Sequence, residues 1–373
     1  MPVVDGDIVM NSMQRTEILD RLTESDPARL EDLFHRADEV RRQHVGDAVH
    51  LRGLIELSNH CRRRCVYCGL RAGNATVARY RLTADEVLNC ATTAESQGYG
   101  TVVLQAGEDP DLDAEWVGNL VRLIKYRTPM AVTLSLGERR LEELADWRVA
   151  GADRYLLRFE TSNPRLFNSI HPPLAGQPHS RIAILRILRD LGYEVGSGVM
   201  IGIPGQSWDD LADDLELMRT LDLDMIGVGP YIPHPETPMG RHVRRWRLPA
   251  DRQVPADEPM TLKMIALARL LCPRANIPST TALATLNPAN GRERGLQCGA
   301  NVIMPNVTPL VYRKAYEIYP NKACIADSAQ ACDHCVHWRI AAIGRQVGRG
   351  RGDSPNRQGR DCSVSPRQND ILL

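Results

Sequence analysis

The sequence carries no excess charge of either sign: 46 Lys and Arg stand against 46 Asp and Glu. That balance gives no electrostatic case for nucleic acid or an anionic membrane as a principal partner. The N-terminal stretch MPVVDGDIVMNSMQR lacks a basic region followed by an apolar run, so no secretory signal is read there. No apolar run is long enough to cross a bilayer, and no solenoid-type repeat recurs. Ten cysteines without an export signal argue against a disulfide framework and for metal or redox chemistry in a reducing cytosol. The expectation is a soluble, cytoplasmic metalloprotein with neither nucleic acid nor membrane as partner. At 373 residues and 43% apolar content the chain can bury a real core, and one large α/β barrel would use most of it.

What is present is a strand–helix rhythm. Residues 12–47 read as helical, with Ile18, Leu19, Leu22, Leu30, Leu33 and Phe34 at helix spacing and Ser25 or Asp26 before Pro27 as cap and first-turn proline. This region, 1–49, is expected to be a brace outside the main domain. From 50 to 322, segments rich in Val, Ile and Leu alternate with amphipathic helices. Strands are expected at 51–57, 101–107, 131–137, 153–161, 194–204, 224–233, 277–283 and 300–305. Eight such units over ~250 residues predict an α/β fold, a (β/α)8 barrel of the TIM type. A doubly wound open sheet is the alternative. Residues 323–343 carry further cysteines, and 344–373, rich in Gly, Arg, Ser and Asn, is expected to be a disordered tail holding the isolated Cys362.

The most informative stretch is 57–80, LSNHCRRRCVYCGLRAGNATVARY, with Cys61, Cys65 and Cys68 in a C-x3-C-x2-C spacing. Three thiolates this close can converge on one soft metal centre. They are one short of the four a cubane cluster takes, so one iron would keep an open position. Zinc, with His60 as fourth ligand, is the competing reading. Polar residues gather at the C-terminal ends of the expected strands, the face where a barrel builds its active site. They include Gln105, Glu108 and Asp109 after the second, Thr133 and Ser135 late in the third, and Arg158 and Glu160 ending the fourth. Met200, His234 and Thr280-Thr281 follow. Cys90, Cys272 and Cys298 stand singly and read as small buried hydrophobes.

The cysteine loop is similar to that of radical S-adenosylmethionine (SAM) enzymes, and the order of motifs resembles the HydE family of FeFe-hydrogenase maturases, in the biotin synthase-like branch. The segments that carry it are SNHCRRRCVYCGLR (58–71), VVLQAGEDP (102–110), VTLSLGE (132–138), GADRYLLRFETSNP (151–164), GSGVMIGIPGQ (196–206), DMIGVGPYIPHPETP (224–238), IPSTTAL (277–283) and CGANVIMPNVTP (298–309). The resemblance implies that Cys61, Cys65 and Cys68 hold a 4Fe-4S cluster that reductively cleaves SAM. It implies SAM contacts at Tyr67 and at Gly107-Glu108, ribose contact at Glu160, a carboxylate fork at Arg181, and adenine contact along the backbone Met200–Gly202. Gln105, Thr133, Arg158, Thr281 and Tyr316 fall on the substrate side. The family's substrate is a small organometallic molecule, a cysteine-bound iron carbonyl–cyanide unit on the route to the hydrogenase H-cluster. The maturases HydG and HydF, and a reductant such as ferredoxin or flavodoxin, are the partners implied. Cys324, Cys332 and Cys335 stand where some family members carry an accessory cluster, two-iron or four-iron; His334 or His337 would also permit zinc. The chain departs from the pattern at Ala106 and Phe159, and 171–180 is longer than usual. A methylornithine synthase-like or sulfur-inserting radical SAM enzyme, or a non-catalytic metal-binding scaffold, are the alternatives.

Overall fold

Extended segments rich in β-branched and leucine side chains, buried on both faces, line up as a ring of parallel strands. The computed structural model describes residues 13–174, 180–326 and 328–357. Six strands lie side by side in chain order: β1 (Ala48–Ser58), β2 (Thr101–Ala106), β3 (Ala131–Ser135), β4 (Arg154–Leu156), β5 (Glu194–Ile201) and β6 (Met225–Pro230). Every pair is parallel, from Arg52 opposite Thr101 to Ile201 opposite Pro230. The ring closes through residues 276–278, which bridge Met225 to Asn276 and Pro278 to Val302. From there β7 (Val302–Ile303) pairs with His50 and Leu51 of β1. Eight wall positions make the (β/α)8 barrel, with crossover helices such as Ala84–Ser96, Ala114–Arg127 and Trp208–Thr220 covering its outside.

Two expectations change in detail. The fourth strand stops at Leu156, and Glu160 rejoins the wall only as a bridge to Val199, with a left-handed backbone (φ 63°). The seventh strand is only the bridged stretch 276–278. Thr280 caps a helix, Thr281–Leu286, by accepting from the Leu283 amide, so Thr281 starts a helix rather than ending a strand. The N-terminal helical region is two helices, Arg15–Thr23 and Pro27–Val45; Asp26 caps the second by accepting from the Arg29 amide at 3.0 Å. Arg15 ties the first helix to Asp209, Asp213 and Glu216 on the barrel's outer layer.

The largest correction concerns the chain's end. Residues 344–357 are ordered and close the floor of the barrel, where the composition had pointed to disorder; 358–373, with Cys362, lie outside the described residues. A short strand, β8 (Gln346–Val347), pairs with Ala48 and Val49 of β1. The chain then crosses beneath the barrel. Arg351 donates to Asp153 at 2.6 Å and its carbonyl accepts from Thr101 Oγ1 at 2.7 Å. Asp353 pairs with the fully buried Arg154, which also holds Glu194 at 2.8 Å. Apart from Val347, which packs on the core, hydrogen bonds and ion pairs order this segment, so a hydropathy argument misses it. Among the described residues no helix is long and apolar enough to cross a membrane.

Candidate active site at the mouth of the barrel

The loop after β1 is held from several directions. Its Arg62 amide donates to the Glu108 carbonyl (3.0 Å), Val66 to Ile170 (2.9 Å) and Gly69 to Ile318 (2.9 Å), while Met239 donates to the Val66 carbonyl (3.0 Å). Arg79 turns inward and donates to the carbonyls of Asn59, Leu70, Arg71 and Asn74. Such donors fix the turns of a loop that has no secondary structure of its own. Gly107, at the end of β2, presses against the loop so closely that a Cβ would stand 2.3 Å from the His60 carbonyl and 2.8 Å from Cys61 Cβ. Only glycine fits there.

Cys61, Cys65 and Cys68 all line one cavity of about 350 Å³ at the C-terminal ends of the strands. Cys65 is buried; Cys61 and Cys68 are half-buried. Burial pushes all three thiols up, Cys68 to about 12, so a metal must displace their protons.

Beneath Cys65 lies a network that sequence reading did not single out as a unit. Arg63 bridges Glu108 and Glu138 at 2.5 Å each. Arg181 reaches Glu138 at 2.9 Å and Glu108 at 3.7 Å. His171 sits between Glu138 (3.2 Å) and the sulfur of Cys65 (2.9 Å). Burial would raise the Glu138 carboxyl, but the His171 hydrogen bond and the Arg181 and Arg63 charges outweigh it and hold it at about 2. Burial, then the Arg181 charge, lowers His171. Glu108, Glu138 and His171 offer ligand atoms within 4.8 Å of one another, yet two guanidiniums already match the two carboxylates. The members come from four separate loops, so no local spacing announces them.

Of the residues expected at the site, Tyr67, Gln105, Gly107, Glu108, Thr133, Arg158, Glu160, Arg181, Met200, Thr281 and Tyr316 line the same cavity. Gly202 does not; it packs on Ala256. Cys324, Cys332 and Cys335 lie elsewhere. Cys324 and Cys332 are hydrogen-bonded to each other, which with burial raises Cys332, while Cys335 is exposed one turn along the helix Ala329–Ala342. Cavity residues the sequence reading missed include Glu56 and Lys322, a buried ion pair in which Glu56 also accepts from Asn306 Nδ2 at 3.0 Å. Lys322 lies 5.0 Å from the centre of the Tyr316 ring.

Several buried polar atoms of the cavity wall have no protein partner among the described residues: Thr133 Oγ1, Arg158 Nε and Arg52 Nε. Glu160 Oε2 has only the 3.1 Å charge contact with Arg158. Unpaired buried polar atoms are costly and therefore mark where a ligand's polar groups complete the site. Three thiols around one end of the cavity and orphaned donors and acceptors along its wall fit an iron–sulfur cluster carrying a polar cofactor.

Comparison with known proteins agrees with this geometry. Residues 55–218 match the radical SAM superfamily model. The chain is 45% identical to the [FeFe] hydrogenase maturase subunit HydE of Thermotoga maritima over 352 residues, covering 93% of this chain and 97% of that one. It is 27% identical to 3-methylornithine synthase of Methanosarcina acetivorans over 277 residues, 74% of each chain. The crystal structure of methylornithine synthase (PylB) superposes with a TM-score of 0.75 at 23% identity, covering 94% of this chain and 97% of the other, which bears on the fold.

Proposed function

This chain belongs to the HydE family of the radical SAM superfamily, and from that premise we propose that it acts in FeFe-hydrogenase maturation on a cysteine-bound iron carbonyl–cyanide precursor held inside the barrel. The observation that carries the reading is the address of the three thiols, at one end of a cavity whose wall offers orphaned polar atoms. Bound there, a 4Fe-4S cluster and SAM supply the 5'-deoxyadenosyl radical chemistry of the superfamily; the protein's share is positioning and exclusion.

In this reading Cys61, Cys65 and Cys68 hold the cluster. Gly107 lets the end of β2 approach it, and its neighbour Glu108 faces the methionine end of SAM. Glu160, turned inward by its left-handed backbone, accepts from the ribose hydroxyls. Arg181 is already engaged by Glu138, the Arg158 carbonyl (2.6 Å) and His171 (3.2 Å). It would meet a bound SAM carboxylate by giving up its contact with the imidazole, the longest of these. Tyr67 and Met200 line the SAM side, with Gly202 behind it. Gln105, Thr133, Arg158, Thr281 and Tyr316 face the substrate, and the Glu56–Lys322 pair closes the cavity around it. A closed, low-water cavity keeps a reactive species on its target.

Cys324, Cys332 and Cys335 are read as an accessory iron–sulfur site, two-iron or four-iron, outside the barrel cavity. HydG and HydF are the partners this reading implies. The function is tested by in vitro maturation of apo-hydrogenase from a mixture lacking its HydE-family component. Added chain plus the iron precursor restores hydrogen evolution; no restoration, with methylornithine formed from lysine instead, would replace the maturase with the mutase.

A further inference from the structure

Glu160 and Met200 stand in the cavity wall, and the layer behind both of them meets at one carboxyl. β5 ends at Ile201, and the chain turns through Gly202, whose φ of 72° is left-handed. The buried side chain of Gln206 spans this turn. Its Oε1 accepts from the amides of Gly202 (2.8 Å) and Ile203 (3.2 Å), and its Nε2 donates to the Met200 carbonyl (3.2 Å). Nε2 also reaches Asp214 Oδ2 at 3.4 Å. The other oxygen of that carboxyl, Oδ1, accepts from the Ser162 amide at 2.5 Å, two residues beyond Glu160. One side chain on the helix Trp208–Thr220 therefore ties together two stretches that otherwise meet through the Met200 amide and the Glu160 carbonyl (3.0 Å).

Asp214 is fully buried, and among the described residues no Lys, Arg or His pairs with it. The charged groups around it are engaged elsewhere. On its own helix, Asp210 accepts from Asn163 Nδ2 and the Ser207 hydroxyl, both at 2.8 Å, while Arg15 takes Asp209, Asp213 and Glu216. Glu160 faces Arg158 at 3.1 Å, and Glu194 at the start of β5 holds Arg154. Lys263, on the helix Glu258–Leu271, donates to the carbonyls of Leu22 and Glu24. A buried carboxylate without a cation is costly. Burial, with the charges of Asp210 and Asp213, outweighs the Ser162 hydrogen bonding and pushes the Asp214 carboxyl up to about 7. As a carboxylate it accepts at both oxygens. In the neutral acid Oδ1 remains the acceptor for Ser162, the proton sits on Oδ2, and that oxygen becomes a poor acceptor for Gln206.

We infer that Asp214 is a positioning residue for the cofactor: as a carboxylate it clamps residues 160–162 to the turn 200–203 and so sets the adenosine side of the cavity. The inference rests on the radical SAM reading, which puts ribose at Glu160 and adenine along Met200–Gly202. Asp214 is not part of the cavity wall and acts only through Ser162 and Gln206. Loss of its proton tightens the clamp, and gain of a proton loosens the Gln206 amide that holds Gly202 and Ile203.

The test compares the reconstituted holoenzyme with its Asp214→Asn variant, whose amide Nδ2 would set donor against donor at Gln206 whatever the pH. SAM and, separately, methionine are titrated by calorimetry at pH 6 and pH 8. The variant should bind SAM about fivefold more weakly than wild type at pH 8 and equally at pH 6. Taking the ratio of the two proteins cancels the titration of SAM itself. Methionine does not extend to the adenosine side and should bind both alike. A second measurement needs neither variant nor cofactor: in metal-free wild type, hydrogen exchange corrected for its intrinsic pH dependence should show the Gly202 and Ile203 amides less protected at pH 6 than at pH 8. A SAM ratio that is the same at both pH values would overturn the clamp. So would an equal weakening of methionine, or wild-type protection that does not change with pH. Wild-type holoenzyme that binds no SAM at either pH, while the two amides change protection as expected, would instead overturn the radical SAM reading beneath it.

Discussion

His171 Nδ1 lies 2.9 Å from the sulfur of Cys65, while Nε2 of the same ring lies 3.2 Å from Glu138 Oε1. A buried imidazole thus joins a proposed cluster ligand to a carboxylate that two arginines hold. Partners of this kind orient a ligand and tune its metal. A neutral ring carries one N–H: given to Glu138 in the metal-free protein, it moves to Nδ1 beside a metal-bound thiolate, Nε2 then accepting from Arg181, and there it draws electron density from sulfur and favours the reduced cluster. The His171→Ala variant should therefore have a more negative cluster midpoint in an EPR-monitored titration. An unchanged midpoint would mean that the contact is lost once the thiolates bind iron.

Glu138 gives a pH prediction. Its carboxyl is held at about 2 against an ordinary 4.5. A depressed folded-state value stabilises the protein above about pH 4.5, and that stability is lost as pH falls towards 2. The shift corresponds to roughly 3 kcal/mol. In urea unfolding of the metal-free protein, Glu138→Gln should lose about that much at pH 7, because Arg63 and Arg181 lose their anion. It should also flatten the decline of stability between pH 5 and 2. Parallel acid limbs in the two proteins would contradict the assignment.

The Glu56–Lys322 pair is buried at both ends, with side chains 0% and 6% exposed. Removing one partner leaves a charge with too little solvation, at a cost of about 3–5 kcal/mol. Lys322→Met should lower stability by that order, and Glu56→Gln/Lys322→Met should recover part of it. Additive losses in a double-mutant cycle would show that the two do not act as a pair.

Truncation after residue 343 removes the floor of the barrel. Arg154, 0% exposed, would lose Asp353 and the Arg351 carbonyl. The truncated chain should unfold at lower temperature than the full chain, by more than the removal of a solvated tail would cause. Equal melting temperatures would mean that the segment contributes nothing to the closed barrel.

The barrel was legible because its strands are runs of Val, Ile and Leu between capped amphipathic helices, as with Thr83 and Glu86, whose reciprocal cap bonds are both present. The thiol loop was legible because three cysteines in eight residues leave few chemical readings. What sequence could not give are groups whose meaning comes from distant partners. Arg63, Glu138 and His171 are ordinary residues until the fold places them under Cys65. Thr281 was misread because the apolar run into IPSTTAL continues past the point where Thr280 caps a helix. Residues 344–357 look like a solvated tail because arginine and glycine signal disorder when counted, yet here they find carboxylates and carbonyls across the barrel floor.

The central claim is that the loop 57–80 binds a reducible four-iron cluster that opens SAM inside the barrel. Anaerobically reconstituted protein, incubated with dithionite and SAM, should release 5'-deoxyadenosine and methionine, and Cys65→Ala should remain a folded barrel that releases neither. Wild-type protein that binds only zinc, or that holds a cluster but leaves SAM intact, would contradict the account.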